Sequence, residues 1–182
     1  MSKRHRNLLQ ISAAILICLI SILGICRAES QPSKKPGTAR VAEVHDGDTI
    51  SIILGNGRRE KVRLTGIDTP ELGQHPWGQK AKQHLEDLIM LSDKTVSCEY
   101  DIEKRDKYGR LLCYIWTSQG TMLNLRMVQD GFAMLYTFPP NVRYVTELQK
   151  AQREARGKRK GIWGSDGLKE RPGHYRKQHP RW

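Results

Sequence analysis

Residues 41–67 read VAEVHDGDTISIILGNGRREKVRLTGI, and their apolar positions recur with the short period of extended chain. Val41 and Val44 are followed by Ile50, Ile52 and Ile53, then by a Gly55-Asn56-Gly57 turn, then by Val62, Leu64 and Ile67. Alternating β-branched residues bounded by Gly, Asn and Asp predict three antiparallel strands between Thr38 and Ile67.

Downstream the period changes. Ala81, Leu85, Leu88 and Ile89 follow Pro76 at helical spacing, with Lys80, Lys82 and Glu86 on the wet face. Thr95 to Tyr100 and Leu111 to Trp116 read as a hairpin around the charged loop Glu103 to Gly109, which raises the strand count to five. Asn124 is placed to cap a short helix that Gly131 ends, and Tyr144, Leu148, Ala151 and Ala155 mark a third helix stopping near Gly157. Five strands in meander-like order with three helices inserted and appended predict an α+β fold: a small closed barrel of the oligonucleotide-binding type.

The chain has 182 residues, enough for one domain and too few for two large ones. Its 38% apolar content supports a packed core and argues against general disorder. The formal charge of +12 makes a polyanion the first partner to consider, nucleic acid ahead of anionic lipid. Lys3, Arg4 and Arg6 precede a charge-free apolar run from Leu8 to Cys26, and Cys26-Arg27-Ala28 is a loose small-x-small site. Residues 1–28 are therefore expected to be a secretory signal, with an uncleaved membrane anchor over residues 8–26 as the alternative. Ile25 before Cys26 argues against a lipoprotein. Loss of residues 1–28 would remove four basic residues and no acidic one, so the balance would fall from +12 to +8. Residues 29–37 read as a linker, 38–163 as the folded domain, and 164–182 as a basic tail without periodicity.

Chemistry gathers in the loops between strands. Asp46-Gly47-Asp48-Thr49 sits where one strand ends and the next begins, and taken alone an Asp-Gly pair is most often a turn. A second acidic cluster, Asp68-Thr69-Pro70-Glu71, closes the third strand, so two loops offer carboxylates that repel unless a cation stands between them. Oxygen donors of this kind suit Ca2+ or Mg2+, whereas no His and Cys spacing argues for zinc. Arg63 precedes Asp68 by five residues, and Arg110 follows Arg105-Asp106-Lys107-Tyr108-Gly109. Either alone would most often be a solvated cation. Together with the acidic loops they make up a set suited to phosphodiester hydrolysis, because planar guanidinium groups neutralise the charge of a pentacovalent phosphorane at two points.

Three segments carry a resemblance: Val44-His45-Asp46-Gly47-Asp48-Thr49-Ile50; Val62 to Glu71 (VRLTGIDTPE); and Asp106-Lys107-Tyr108-Gly109-Arg110. In order and separation they resemble the signature segments of the staphylococcal nuclease (thermonuclease) family, and the likeness runs from about Thr38 to Trp163. It implies an oligonucleotide-binding barrel and Ca2+-dependent hydrolysis of DNA and RNA to 3′-phosphates; DNA and RNA are the expected partners, and the chain is expected to be a monomer. Residue by residue, it implies Ca2+ on the carboxylates of Asp48 and Asp68 and the carbonyl of Thr69, with Asp46 acting through water. Glu71 would be the general base, Arg63 and Arg110 would grip the phosphate, and Lys107, Tyr108 and Tyr136 would contact substrate. Phe138 stands where the family pattern has a second tyrosine, a change that keeps stacking and loses a hydroxyl.

A competing reading is a non-catalytic nucleic-acid-binding barrel, free or tethered to a membrane, since fold alone does not set function. Intact Arg63, Glu71 and Arg110 favour the enzyme. His75, His84, His174 and His179 are expected at the surface, Trp77 and Trp116 in packing, and the run Arg156 to Lys160 as a solvated helix end. The tail, with Lys169, Arg171, Arg176, Lys177 and Arg181, is expected to add affinity for polyanions without taking part in chemistry. Cys98 and Cys113 are expected to form a disulfide if the hairpin turn is centred between Arg105 and Asp106, and to remain free thiols if it is centred on Lys107 and Tyr108.

Overall fold

A computed structural model describes residues 37–180, all of which fall within one compact unit. The signal or anchor segment and most of the linker lie outside the described residues. Among the described residues no helix is long and apolar enough to cross a membrane.

The three strands expected from the opening stretch are β1 (Thr38–Val44), β2 (Thr49–Leu54) and β3 (Arg59–Leu64), paired antiparallel with Val41 opposite Ile52 and Ile50 opposite Val62. The hairpin is β5 (Thr95–Arg105) and β6 (Leu111–Thr117). The parallel pairing of β3 with β6 and the antiparallel pairing of β1 with β5 close these five strands into a barrel. A bulge between Val41 and Glu43 and a register shift between Tyr100 and Arg105 accommodate the curvature that closure demands. Ile50, Ile52, Val62, Leu64, Cys113 and Ile115 fill the interior.

Ile67, read as the end of the third strand, instead belongs to a separate strand, β4 (Ile67–Asp68), which pairs with β7 (Met134–Leu135). The break comes at Gly66, whose φ of +82° is strained for any residue with a side chain and whose absent Cβ would lie 2.7 Å from Leu148. The chain leaves the barrel there and carries Asp68 across its end.

Helix α1 (Trp77–Met90) buries Ala81, Leu85, Leu88 and Ile89, as their spacing predicts. Helix α2 (Leu123–Gln129) packs with α3 (Val145–Gly157), which buries Leu148, Ala151 and Ala155. Asn124 is no cap. It lies inside α2, fully buried, accepts from the Ile115 N–H and donates to the Thr65 and Cys113 carbonyls, stitching the helix to β6 and to the turn after β3. A fourth helix, α4 (Pro172–Gln178), occupies the segment read as an aperiodic tail.

The tight turn of the hairpin spans Asp106–Gly109, while the intervening bulge places Cys98 opposite Ile115 and Cys113 opposite Tyr100. The two cysteines are therefore diagonal neighbours, two residues from direct opposition, and both are buried free thiols. A hydrogen bond between them lowers the Cys98 thiol and, with burial, raises that of Cys113.

Two outcomes test this arrangement. Asn124→Ala leaves buried backbone groups without partners, and urea unfolding should show a loss of about 2–4 kcal/mol at unchanged m. Alkylation of denatured, unreduced protein followed by peptide mapping should find both Cys98 and Cys113 modified; an unmodified pair linked by a disulfide would contradict the observed register.

Candidate functional site

At the end of the barrel where β1 turns into β2, the Asp48 amide donates to Asp46 Oδ1 at 3.0 Å, closing an Asx turn. The turn reading and the functional reading of this loop thus describe the same residues. Gly47 is required by contact: a Cβ there would stand 2.8 Å from Ala81 and 2.9 Å from Thr69, so only glycine lets the loop press against α1 and the second acidic segment. Asp48 fastens that contact. Its Oδ2 accepts from both the backbone N–H and the hydroxyl of Thr69 at 3.0 Å, and its Oδ1 accepts from Thr49.

Arg63 lies across both segments. Its Nε is 3.2 Å from Asp48 Oδ1, its Nη2 is 3.4 Å from Asp68 Oδ1, and it donates to the carbonyls of Leu64 and Ile67 at 2.7 and 2.8 Å. Asp68 is then held from the other side. Arg176 of α4 donates to both Asp68 oxygens at 3.0 Å and to Glu71 Oε1 at 2.7 Å.

Two arginines do not fully compensate the acids. Loss of solvent pushes Asp68 above its ordinary value, against the pull of Arg176 and Arg63. Loss of solvent, reinforced by the Asp48 carboxylate, pushes Asp46 up to about 6. Among the described residues no three Asp, Glu, His or Cys side chains are gathered as a metal centre. The donors that do converge are oxygens, and Ca2+ completes a shell of two carboxylates with backbone carbonyls and water. Asp48 and Asp68, sharing one arginine in a poorly solvated pocket, fit such an ion.

Beside this cluster a cleft of about 670 Å3 is lined by Arg63, Lys107, Arg110, Tyr136 and Phe138, among others. Arg110 is paired with Asp106 at 2.7 Å and lies 5.5 Å from the centre of the Tyr108 ring, which Lys107 also overlies. Tyr108, Tyr136 and Phe138 are largely exposed. Exposed aromatic rings interleaved with cations make a surface on which bases stack and phosphates pair. The structure thus brings Asp46, Asp48, Asp68, Thr69 and Arg63 into one connected cluster, joins Glu71 to it through Arg176, and sets Arg110, Lys107 and Tyr136 along the adjoining cleft, with Tyr108 against Arg110 and Lys107.

This architecture has relatives of known sequence. Residues 61–165 match the family described as staphylococcal nuclease homologue. The chain belongs to the staphylococcal nuclease family. It is similar to the thermonuclease of Staphylococcus hyicus, 32% identical over 181 residues that cover 91% of this chain and all of that protein. It is 40% identical to the thermonuclease of Staphylococcus intermedius over 132 residues, covering 68% of this chain and 74% of that one. Endonuclease YncB of Bacillus subtilis is 30% identical over 145 residues, covering 76% and 67%. The five-stranded mixed barrel with its helices is the fold that the family resemblance implies. The chain is thus a homologue of thermonucleases and endonucleases, with α4 outside the residues that match the family.

Two partners were missed in the sequence. His84, expected at the surface, is bonded to Asp130 at 3.0 Å and stacked on Phe132. Arg176 was assigned to a tail remote from the chemistry. Its signal was present: Pro172 suits a first helical turn, and Arg176 and Lys177 suit a last one.

The two arginines differ in their attachment, which gives a test independent of activity. Arg63→Lys abandons the Leu64 and Ile67 carbonyls and should cost about 1–3 kcal/mol in urea unfolding. Arg110→Lys removes a partly exposed pair and should stay within about 1 kcal/mol of the parent. Equal losses would contradict the distinction.

Proposed function

We propose that the chain is a Ca2+-dependent phosphodiesterase that hydrolyses DNA and RNA to products with 3′-phosphates. The observation that carries this reading is the adjacency, in a member of this family, of an oxygen-donor cluster (Asp48, Asp68, Glu71) to a cleft lined by three arginines, a lysine and exposed aromatic rings. Tyr136, Tyr108 and Lys107 hold the nucleotide beside the scissile bond by stacking and phosphate contact. Arg63 meets the phosphate from its fixed place across the two acidic segments, whereas Arg110 turns toward it, which requires that substrate displace Asp106 from Arg110. Glu71 takes a proton from water as its oxygen attacks phosphorus; the bond to the 5′ oxygen breaks, that oxygen leaves as a 5′-hydroxyl after taking up a proton, and the phosphate stays on the 3′ side. The two guanidinium groups stabilise the charge that accumulates on the phosphorane. Asp48, Asp68 and the Thr69 carbonyl would hold Ca2+, with Asp46 acting through water, and the ion would supply fixed positive charge at the phosphate. Residues 1–28 support the further proposal that the enzyme is exported and acts outside the cytoplasm.

Digestion of single-stranded DNA with Ca2+, with Mg2+ and with chelator, followed by end-group analysis, tests the reading. Activity with Ca2+ and new 3′-phosphate ends are expected, while undiminished cleavage in chelator would overturn it. Glu71→Gln should lower turnover by about 100- to 10,000-fold with substrate affinity largely kept, since the amide retains shape but not basicity. An unchanged rate would remove Glu71 from the proton transfer.

A further inference from the structure

The segment after residue 165 is built onto the mouth of the site. Gly167 and Leu168 fold back through N–H bonds to the carbonyls of Gly164 and Ile162, and the Trp77 indole donates to the Asp166 carbonyl at 3.0 Å. The Gln74 amide donates to the Glu170 carbonyl at 2.9 Å, Pro172 is buried, and the Tyr175 hydroxyl lies 2.4 Å from where a Cβ on Gly73 would be. These contacts fasten α4 to the turn that carries Glu71. They leave Arg176 across the two acids.

Arg176 engages both oxygens of Asp68 and one of Glu71, whose side chains are only 8% and 13% exposed. A two-point guanidinium contact of this kind fills the oxygens that a divalent cation would use on Asp68, and its third hydrogen bond occupies one carboxylate oxygen of Glu71. The guanidinium is itself held above its ordinary value by these bonds, despite burial that opposes its charge, so it does not leave by losing its proton. α4 also borders a cleft that Asp68 and Tyr136 share with Arg156, Arg171, His174 and Lys177, so a polyanion drawn to the site meets the helix at its basic face.

We propose that residues 166–178 are an autoinhibitory cap, in which Arg176 is a tethered cation that competes with Ca2+ for Asp68 and masks Glu71. The inference rests on the calcium reading of the site and names its regulation. A docked cap lowers the apparent affinity for the ion by the fraction of molecules in which it is docked. The enzyme therefore turns on at a higher Ca2+ concentration than its carboxylates alone would set, and binding of polyanion at the basic face of α4 lowers that threshold.

Calorimetric titration of the full chain with CaCl2, in the absence of nucleic acid, tests this on the parent, Arg176→Ala and Lys177→Ala. Lys177 is the control: it is a cation on the same helix with no bond to either carboxylate among the contacts of the described residues, so its removal measures the general effect of one positive charge. Arg176→Ala should tighten Ca2+ binding by at least about fivefold, the low end of ordinary coupling between sites, while Lys177→Ala stays close to the parent. Equal affinities in all three proteins, or equal tightening in both variants, would overturn the cap and leave the calcium reading standing. Absence of Ca2+ uptake by every one of them would take down the calcium reading and the cap with it.

Discussion

One carboxylate holds two loops together, and the rest of the site depends on it. Asp48 comes from the β1–β2 turn and Thr69 from the segment that follows β4, and the paired hydrogen bonds between them clamp these segments face to face. Gly47 allows the approach, Gly66 turns the chain so that Asp68 arrives at the same place, and Arg63 ties Asp48 to Asp68. None of these residues belongs to the hydrophobic interior. They are placed by it, since β2 and β3 are held in register by Ile50 against Val62 and only then do their polar ends meet.

The clamp concentrates like charge where water is scarce. A cluster of that kind is unfavourable in isolation and tolerated only with cations supplied. This chain supplies two, by different routes: Arg63 from within the barrel, with most of its donors also bound to backbone, and Arg176 from a helix attached at the rim. The first is part of the fold. The second is fastened by the folding back of residues 167–168, by side-chain-to-carbonyl bonds from Trp77 and Gln74, by the burial of Pro172 and by the approach of Tyr175 to Gly73.

The barrel was legible because its strands alternate between buried β-branched residues and solvent, and because Gly-Asn-Gly and Asp-Gly punctuate them at the turns. The acidic loops were legible because two such clusters at strand ends have few structural uses. Other features depend on contacts that no local pattern encodes. Asn124 sits at a helix start and so looks like a cap, yet its partners are on β6 and in the Thr65 turn, remote in sequence. The cysteine pairing hinged on the register of one hairpin, and a bulge inside β5 put it midway between the two registers that turn chemistry alone suggested. Helix α4 has seven residues and one buried side chain, too short for periodicity to register, and its significance lies entirely in a contact about a hundred residues back along the chain.

On the proposed calcium reading, the Asp48–Asp68 cluster keeps a surplus of negative charge that a divalent ion satisfies. Thermal unfolding of the full chain as a function of Ca2+, compared with Asp68→Asn, tests it most directly, because an ion that binds only the folded state must raise its stability. The midpoint of the parent should climb with Ca2+ concentration and that of Asp68→Asn should not. A parent whose midpoint ignores Ca2+, or a variant that climbs in parallel with it, would contradict the account.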